Sequence, residues 1–216
     1  MALTLYFHPL SSYCHKALIA LYENGTRFDP RVVNLQDPAE SEALRKLWPV
    51  RKFPLLHDAE RNCTVPESSI IIEYLDQHYP GRTRFIPRDP ELARETRLQD
   101  RFFDLYIHQP MQQAVGDRLR PAESRDPFGV SEAKTRLHSS YGIADTQLAG
   151  KTWAMGDEFT LADCAAAPAL FFADKVVPFT DTHPNLAAYL ARLKQRPSYA
   201  RTLEEAEPFM QYFPKE

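Results

Sequence analysis

The segment H-P-L-S-S-Y-C-H-K, His8 to Lys16, crowds two hydroxyls (Ser11 and Ser12) and a thiol (Cys14) just after a short apolar run. A helix starting here would present free N–H groups and a partial positive charge, which together stabilise an anion. A hydroxyl at that point can donate to a bound thiolate. It can equally serve only as the helix N-cap, the usual role of serine before a helix. Cys14 lies about one turn in, where a helix terminus can acidify a thiol. Burial as a small hydrophobe is the commoner fate of a lone cysteine.

Three further motifs have chemistry in reach. In Lys52-Phe53-Pro54 the proline removes a backbone donor, so a turn or a cis bond is expected at the end of a sheet. Either leaves the Phe53 backbone free to pair with a peptide-like ligand, or makes only a kinked strand entry. Glu67-Ser68 immediately precedes an apolar helix; Ser68 can cap it, its N–H groups can hold a carboxylate, and Glu67 can take an ammonium. Thr160-Leu161-Ala162-Asp163 follows capping-box spacing and reads as structural. His108 lies near Tyr106 and Gln112 on a long helical stretch, where it can face a cleft, although a solvated helix face is the expected setting.

Some chemistries are excluded. The chain has 18 prolines against 7 glycines, and those glycines form neither G-x-G-x-x-G nor G-x-x-x-x-G-K, so a dinucleotide fold or P-loop is not expected. No H-E-x-x-H or His/Cys cluster at ligand spacing suggests a metal, and no G-x-S-x-G suggests a hydrolase elbow. A formal net charge of −3 gives no pull toward nucleic acid. No run approaches the ~18 apolar residues of a membrane span. The odd, scattered cysteines (Cys14, Cys63, Cys164) suit a reducing cytoplasm.

The elements that must position these residues fall into two groups. Apolar runs over 3–7, 31–35, 53–57 and 62–65 read as strands. Helical patterns follow Ser11-Ser12, span 38–48, and follow Pro66, the last with Ile70, Ile71, Tyr74 and Leu75 as its apolar face. The order β-α-β-α-β-β-α is a mixed α/β unit whose first two strands should be parallel. Residues 81–90 read as a linker. Beyond it the pattern is helical, over 91–115, 131–148, 161–176, 184–194 and 198–207. The expected division is an α/β domain over 1–80 and an all-helical domain over 91–216.

Taken in order, L-S-S-Y-C, K-F-P, E-S-S and F-T-L-A-D resemble the soluble glutathione transferase family over essentially the whole chain, in its serine-type, theta- and zeta-like bacterial branch. The resemblance implies a thioredoxin-like first domain, glutathione as co-substrate and no metal. It places the thiol-activating hydroxyl at Ser11, with Ser12 the alternative after a one-residue slip. It implies a cis Pro54, a Phe53 backbone paired with the cysteinyl unit, and Glu67 and Ser68 on the γ-glutamyl end. Lys52 would meet the glycyl carboxylate, and Thr160 and Asp163 form the family's capping box.

Two departures stand out. His15-Lys16 replaces the arginine common near the start of helix 1, and Tyr13 stands where a zeta-like S-S-C run has cysteine, which speaks against isomerase activity. Tyr13, Phe103, Tyr106 and His108 are the candidate electrophile pocket. The implied activity is conjugation of the glutathione thiolate to a small apolar electrophile, as in detoxification, by a cytoplasmic homodimer. Two alternatives remain: a thiol transferase or reductase using Cys14, and a non-catalytic glutathione-fold binding protein.

Overall fold

Alternation builds the first strand. In β1 (Leu3–Phe7) the residues Leu3, Leu5 and Phe7 are buried, with partly exposed residues between them. The chain then turns into α1 (Ser12–Glu23), whose N-cap is Ser11. This helix is buried on nearly every side and ends at Asn24 and Gly25, where glycine supplies the left-handed conformation at φ +61°. These details come from a computed structural model that describes residues 2–215.

Strand β2 (Asp29–Val32) runs parallel to β1, as the connecting helix requires. It starts and stops earlier than its apolar pattern suggests. Asn34 is drawn into the turn leading to α2 (Pro38–Leu47): its carbonyl accepts from Asp37 N–H and its side chain from Gln36 N–H. Pro30 is tolerated because β2 is an edge strand. After a cis Phe53–Pro54 bond, β3 (Leu55–Asp58) and β4 (Cys63–Pro66) form an antiparallel hairpin, and the sheet order is β2-β1-β3-β4.

Helix α3 (Ser68–His78) buries Ser68, Ile71, Ile72 and Leu75 at helical spacing. Ile70, expected on the apolar face, points outward at 52% exposure, because that stripe is rotated by one residue. No helix or strand forms between Tyr79 and Asp89.

The helical half begins with α4 (Pro90–Phe102), continues through a π-helical turn over Phe103–His108, and goes on as α5 (Gln109–Arg118). The single long helix expected here is thus widened in the middle. Pro110 lacks an N–H and would clash with the carbonyl one turn earlier; the wider turn, in which Gln109 N–H bonds to Asp104 O, accommodates it. Helices α6 (Pro127–Leu148), α7 (Leu161–Asp174), α8 (Pro184–Gln195) and α9 (Pro197–Ala206) follow.

Helix α7 is almost wholly buried and packs against α1, so one continuous apolar core spans both halves. A second small cluster, Val33, Leu44 and Leu55, sits under α2 with Tyr6 against it. The result is the thioredoxin-like α/β unit followed by an all-helical one. No helix among the described residues is long and apolar enough to cross a membrane.

Candidate functional site

A cleft of about 510 Å³ opens between the halves. One wall is Tyr13, Trp48, Lys52, Phe53, Pro54 and the first turn of α3 from Glu67 to Ile70; the other is the face of α4 carrying Arg97, Asp100 and Arg101, with Asp104 and Leu105 beyond.

The α1 corner separates the two serines. The Ser11 side chain accepts from Cys14 N–H at a long 3.4 Å, and the residue is half-buried. Accepting that bond leaves its O–H proton free to donate. Ser12 is 2% exposed, and its Oγ lies 2.5 Å from His108 Nε2 and 3.0 Å from Gln112 Nε2. Its hydroxyl is consumed between the halves. Cys14 is fully buried, and burial pushes its thiol up to about 12. Ser11, Ser12 and Cys14 are not among the residues that line the cleft, whereas Tyr13 between them is.

Lys52 and Glu67 are exposed at the cleft wall, Phe53 is half-buried and Pro54 buried. Glu67 holds the left-handed conformation at φ 69° and supplies no side-chain cap to α3. The first N–H groups of α3 therefore lack a capping side chain, next to the buried Ser68. That arrangement suits a carboxylate placed at the head of the helix.

The four aromatic candidates for an electrophile pocket separate. Tyr13 lines the cleft, and burial, followed by Asp104, pushes its phenol up to about 12, so it stays an O–H donor at neutral pH. Phe103 is core, at 1% exposure, because the π-helical turn rotates it inward. Tyr106 stands 57% exposed beside Phe102 and does not line the cleft. His108, expected on a solvated face or in the cleft, is buried at 1% and stacks on the Tyr13 ring at 3.9 Å. Burial, then the charge of Lys16, lowers its imidazole to about 3, so it is neutral. Thr160 and Asp163 lie away from the cleft. The Asp163 carboxylate accepts from Thr160 N–H at 2.8 Å, from Ala154 N–H and from the Tyr189 hydroxyl.

One group of functional side chains escaped the sequence reading. Lys16 Nζ reaches Asp100 at 2.5 Å, Asp104 at 2.8 Å and Ser69 Oγ at 2.8 Å, all buried where the halves meet. Arg101 joins from the cleft, with Nη2 on Ser69 Oγ, Asp100 and Asp104. Two cations and two carboxylates balance. Burial raises Asp104, against the pull of Lys16. The available signals were a lysine inside an otherwise apolar helix and two aspartates four residues apart, on one helical face.

Residues 5–83 match the glutathione S-transferase N-terminal domain, and residues 107–197 match the glutathione S-transferase C-terminal domain. The chain belongs to the glutathione S-transferase family. The stringent starvation protein A homolog of Haemophilus influenzae is 30% identical over 208 residues, covering 95% of this chain and 92% of that protein. Glutathione S-transferase U22 of Arabidopsis thaliana is 27% identical over 204 residues, covering 91% and 88%. Among solved structures, a glutathione S-transferase from Methylobacillus flagellatus with GSH bound superposes with a TM-score of 0.85 at 24% identity, covering 93% of this chain and 98% of that one. A second, from Methylobacterium radiotolerans in complex with glutathione sulfonate, gives 0.81 at 26% identity, covering 93% of each. The cleft lies between the first matched domain, where Lys52, Phe53, Pro54, Glu67 and Ser68 come together on one wall, and residues 97–105, which lie between the two matched ranges.

Proposed function

We propose that this protein is a glutathione transferase that adds the glutathione thiolate to a small, apolar electrophile. The observation that carries the reading is the junction cleft. It sets a cation (Lys52), a free peptide edge (Phe53 before cis Pro54) and an uncapped helix start beside a carboxylate (Ser68 and Glu67) along one wall. Glutathione has the matching sequence of groups: a glycyl carboxylate, a cysteinyl peptide, and a γ-glutamyl head bearing a carboxylate and an ammonium. Lys52 takes the first, the Phe53 backbone the second, and Ser68 with Glu67 the head.

Ser11 is the thiol-activating residue. A free thiol titrates near 8.5, so little is thiolate at neutral pH, and each unit of lowering corresponds to about 1.4 kcal/mol of preferential thiolate stabilisation. The Ser11 O–H, unspent on its own capping bond, donates to the sulfur, and the α1 N-terminus adds its partial positive charge. Ser11 takes no proton; the sulfur attacks as thiolate. Tyr13 borders the electrophile from the cleft wall. The domain division falls at 81–90, and the active form is a cytoplasmic homodimer, for which Ile70, Leu98 and Tyr106 offer exposed apolar surface.

The buried Cys14, with its thiol held up to about 12, gives no support to a thiol transferase using a protein cysteine. The match to proteins named stringent starvation protein A homologs favours a second reading, a glutathione-fold binding protein without conjugating activity. A conjugation assay over a panel of electrophiles, with glutathione binding followed by calorimetry, separates the two. Conjugation that falls in Ser11→Ala supports the transferase; binding without turnover of any electrophile supports the second reading.

A further inference from the structure

We propose that Tyr13 is a catalytic residue of this cleft, its phenol donating a hydrogen bond and then its proton to the oxygen of an α,β-unsaturated carbonyl electrophile. The inference rests on the glutathione transferase reading above and names the class of electrophile that reading leaves open.

Tyr13 lines the cleft, and its hydroxyl has no hydrogen-bond partner among the described residues, although the residue is half-buried. A tyrosine hydroxyl taken out of bulk water usually finds such a partner. The ring, by contrast, is fixed. It lies on His108 with centroids 3.9 Å apart and planes within 22° of parallel, and His108 is held in turn by Ser12 and Gln112. Phenylalanine would serve that packing equally, so the hydroxyl answers to the cleft. Burial, followed by the charge of Asp104, keeps it protonated at neutral pH. The arginines of the facing wall are committed: Arg97 to Glu73, and Arg101 to Asp100 and Asp104.

Geometry selects the electrophile. Ser11 caps α1 and Tyr13 lies two residues later, about 200° further round the axis at 3.6 residues per turn. A sulfur held at Ser11 and an oxygen held at Tyr13 therefore stand apart. In an epoxide or an alkyl halide the attacked carbon is bonded directly to the departing atom, and both would crowd one spot. In an α,β-unsaturated carbonyl the attacked carbon is three bonds from the oxygen. The thiolate forms the S–C bond at the β-carbon, the C=C pair moves in beside the carbonyl carbon, and the carbonyl pair moves onto oxygen. That oxygen takes the Tyr13 proton, and the enol tautomerises in water to the carbonyl product. The tyrosinate, disfavoured by burial, reclaims a proton from water, which balances the one the thiol released on activation.

A substrate-by-mutant comparison tests this. The full chain with glutathione is assayed on benzylideneacetone, an α,β-unsaturated ketone, and on benzyl chloride, which expels chloride and has no oxygen to protonate. In Tyr13→Phe, which keeps the ring on His108, the ratio of kcat/KM for the ketone to that for the chloride should fall about 100-fold, the low end for loss of a general acid. Both rates scale with the folded fraction, so the ratio is insensitive to lost protein. Ser11→Ala acts on the sulfur common to both reactions and should leave the ratio where it is. A ratio unchanged in Tyr13→Phe, or lowered as much in Ser11→Ala, overturns the role of Tyr13. Wild type that converts the chloride but not the ketone overturns it too, with the transferase reading left in place. Wild type that converts neither overturns that reading, and this inference with it.

Discussion

The Ser12 hydroxyl lies 2.5 Å from Nε2 of His108, a residue 96 positions away in the other half of the molecule. The imidazole also lies flat against Tyr13 with ring centroids 3.9 Å apart, and Gln112 closes on the same hydroxyl from one turn further along. The first turn of α1 is therefore held from the helical half at two consecutive residues. Ser12 spends its hydroxyl on holding that turn, while Ser11, beside it, only accepts a long bond from Cys14 N–H.

Substitution should separate the two serines. Ser11→Ala is expected to raise the pKa of enzyme-bound glutathione by about one unit or more, and to slow conjugation about tenfold at neutral pH. Its cost in stability should be under about 1 kcal/mol, since the capping bond is long. Ser12→Ala removes a partner of buried His108 and should cost about 1–3 kcal/mol while shifting the bound thiol little. Ultraviolet titration of the thiolate and urea midpoints on both variants measure the two effects. A larger thiol shift in Ser12→Ala would transfer the activating role to Ser12.

The first half of the molecule was the more legible one. Strands β1, β3 and β4 carry dense apolar runs punctuated by Pro9, Pro54 and the 59–62 turn, and local chemistry alone bounds them. The wall bearing Lys52, Phe53, Pro54, Glu67 and Ser68 follows from short motifs at sheet ends. The opposite wall could not be read locally. Arg101 looks like a solvated helix position until α4 meets α3 through Ser69, and Asp104 until the π-helical turn over Phe103–His108 is in place. His108 was misplaced for the same reason: a π-helical turn shifts every later side chain by about one position around the axis. Position on a helix face is set by that insertion, which periodicity at 3.6 residues does not register.

The buried ion cluster should be costly to break. Lys16→Met leaves Asp100 and Asp104, exposed at 2% and 4%, with Arg101 as their one remaining cation in the cluster. Removal of one partner from a buried pair costs about 3–5 kcal/mol. The expected result is a fall of that size in unfolding free energy by urea denaturation. Asp104→Asn in the Lys16→Met background should restore part of it, because it removes the carboxylate that burial already disfavours.

A second junction closes the far end of α1. Arg196 donates to Glu23 from Nη2 at 2.6 Å and from Nε at 2.9 Å, and lies over the Phe159 ring at 4.0 Å. Burial alone would raise Glu23, but Arg196 together with the hydroxyls of Ser198 and Thr83 outweighs it and holds the carboxyl below its ordinary value. Arg196→Leu should cost about 3 kcal/mol by leaving that charge underpaired. Adding Glu23→Gln should lessen the loss. Strict additivity of the two costs in a double-mutant cycle would show that the pair is not coupled.

Acid sensitivity should begin in the histidine range, above the range where carboxylates titrate. Burial lowers His15 to about 4 and His108 to about 3, against 6.5 unfolded. His15 is enclosed by the Pro9 carbonyl and the Phe172 and Tyr199 rings; His108 faces Ser12, Tyr13 and Gln112, with the Lys16 charge nearby. Both rings are neutral when folded and protonated when unfolded between those limits. Their stabilising contribution is full above pH 6.5, and it is lost as pH falls toward the folded values. For His15 the neutral-pH contribution is on the order of 3 kcal/mol. From pH 6 to 5, unfolding should take up on the order of two protons from these sites, seen as a falling urea-derived free energy with falling pH. His108→Asn keeps a polar partner for Ser12 and removes the titrating ring, so it should lower that uptake by about one proton. An unchanged slope would mean that His108 carries its proton in the folded protein, and that the Ser12 contact is made by an imidazolium.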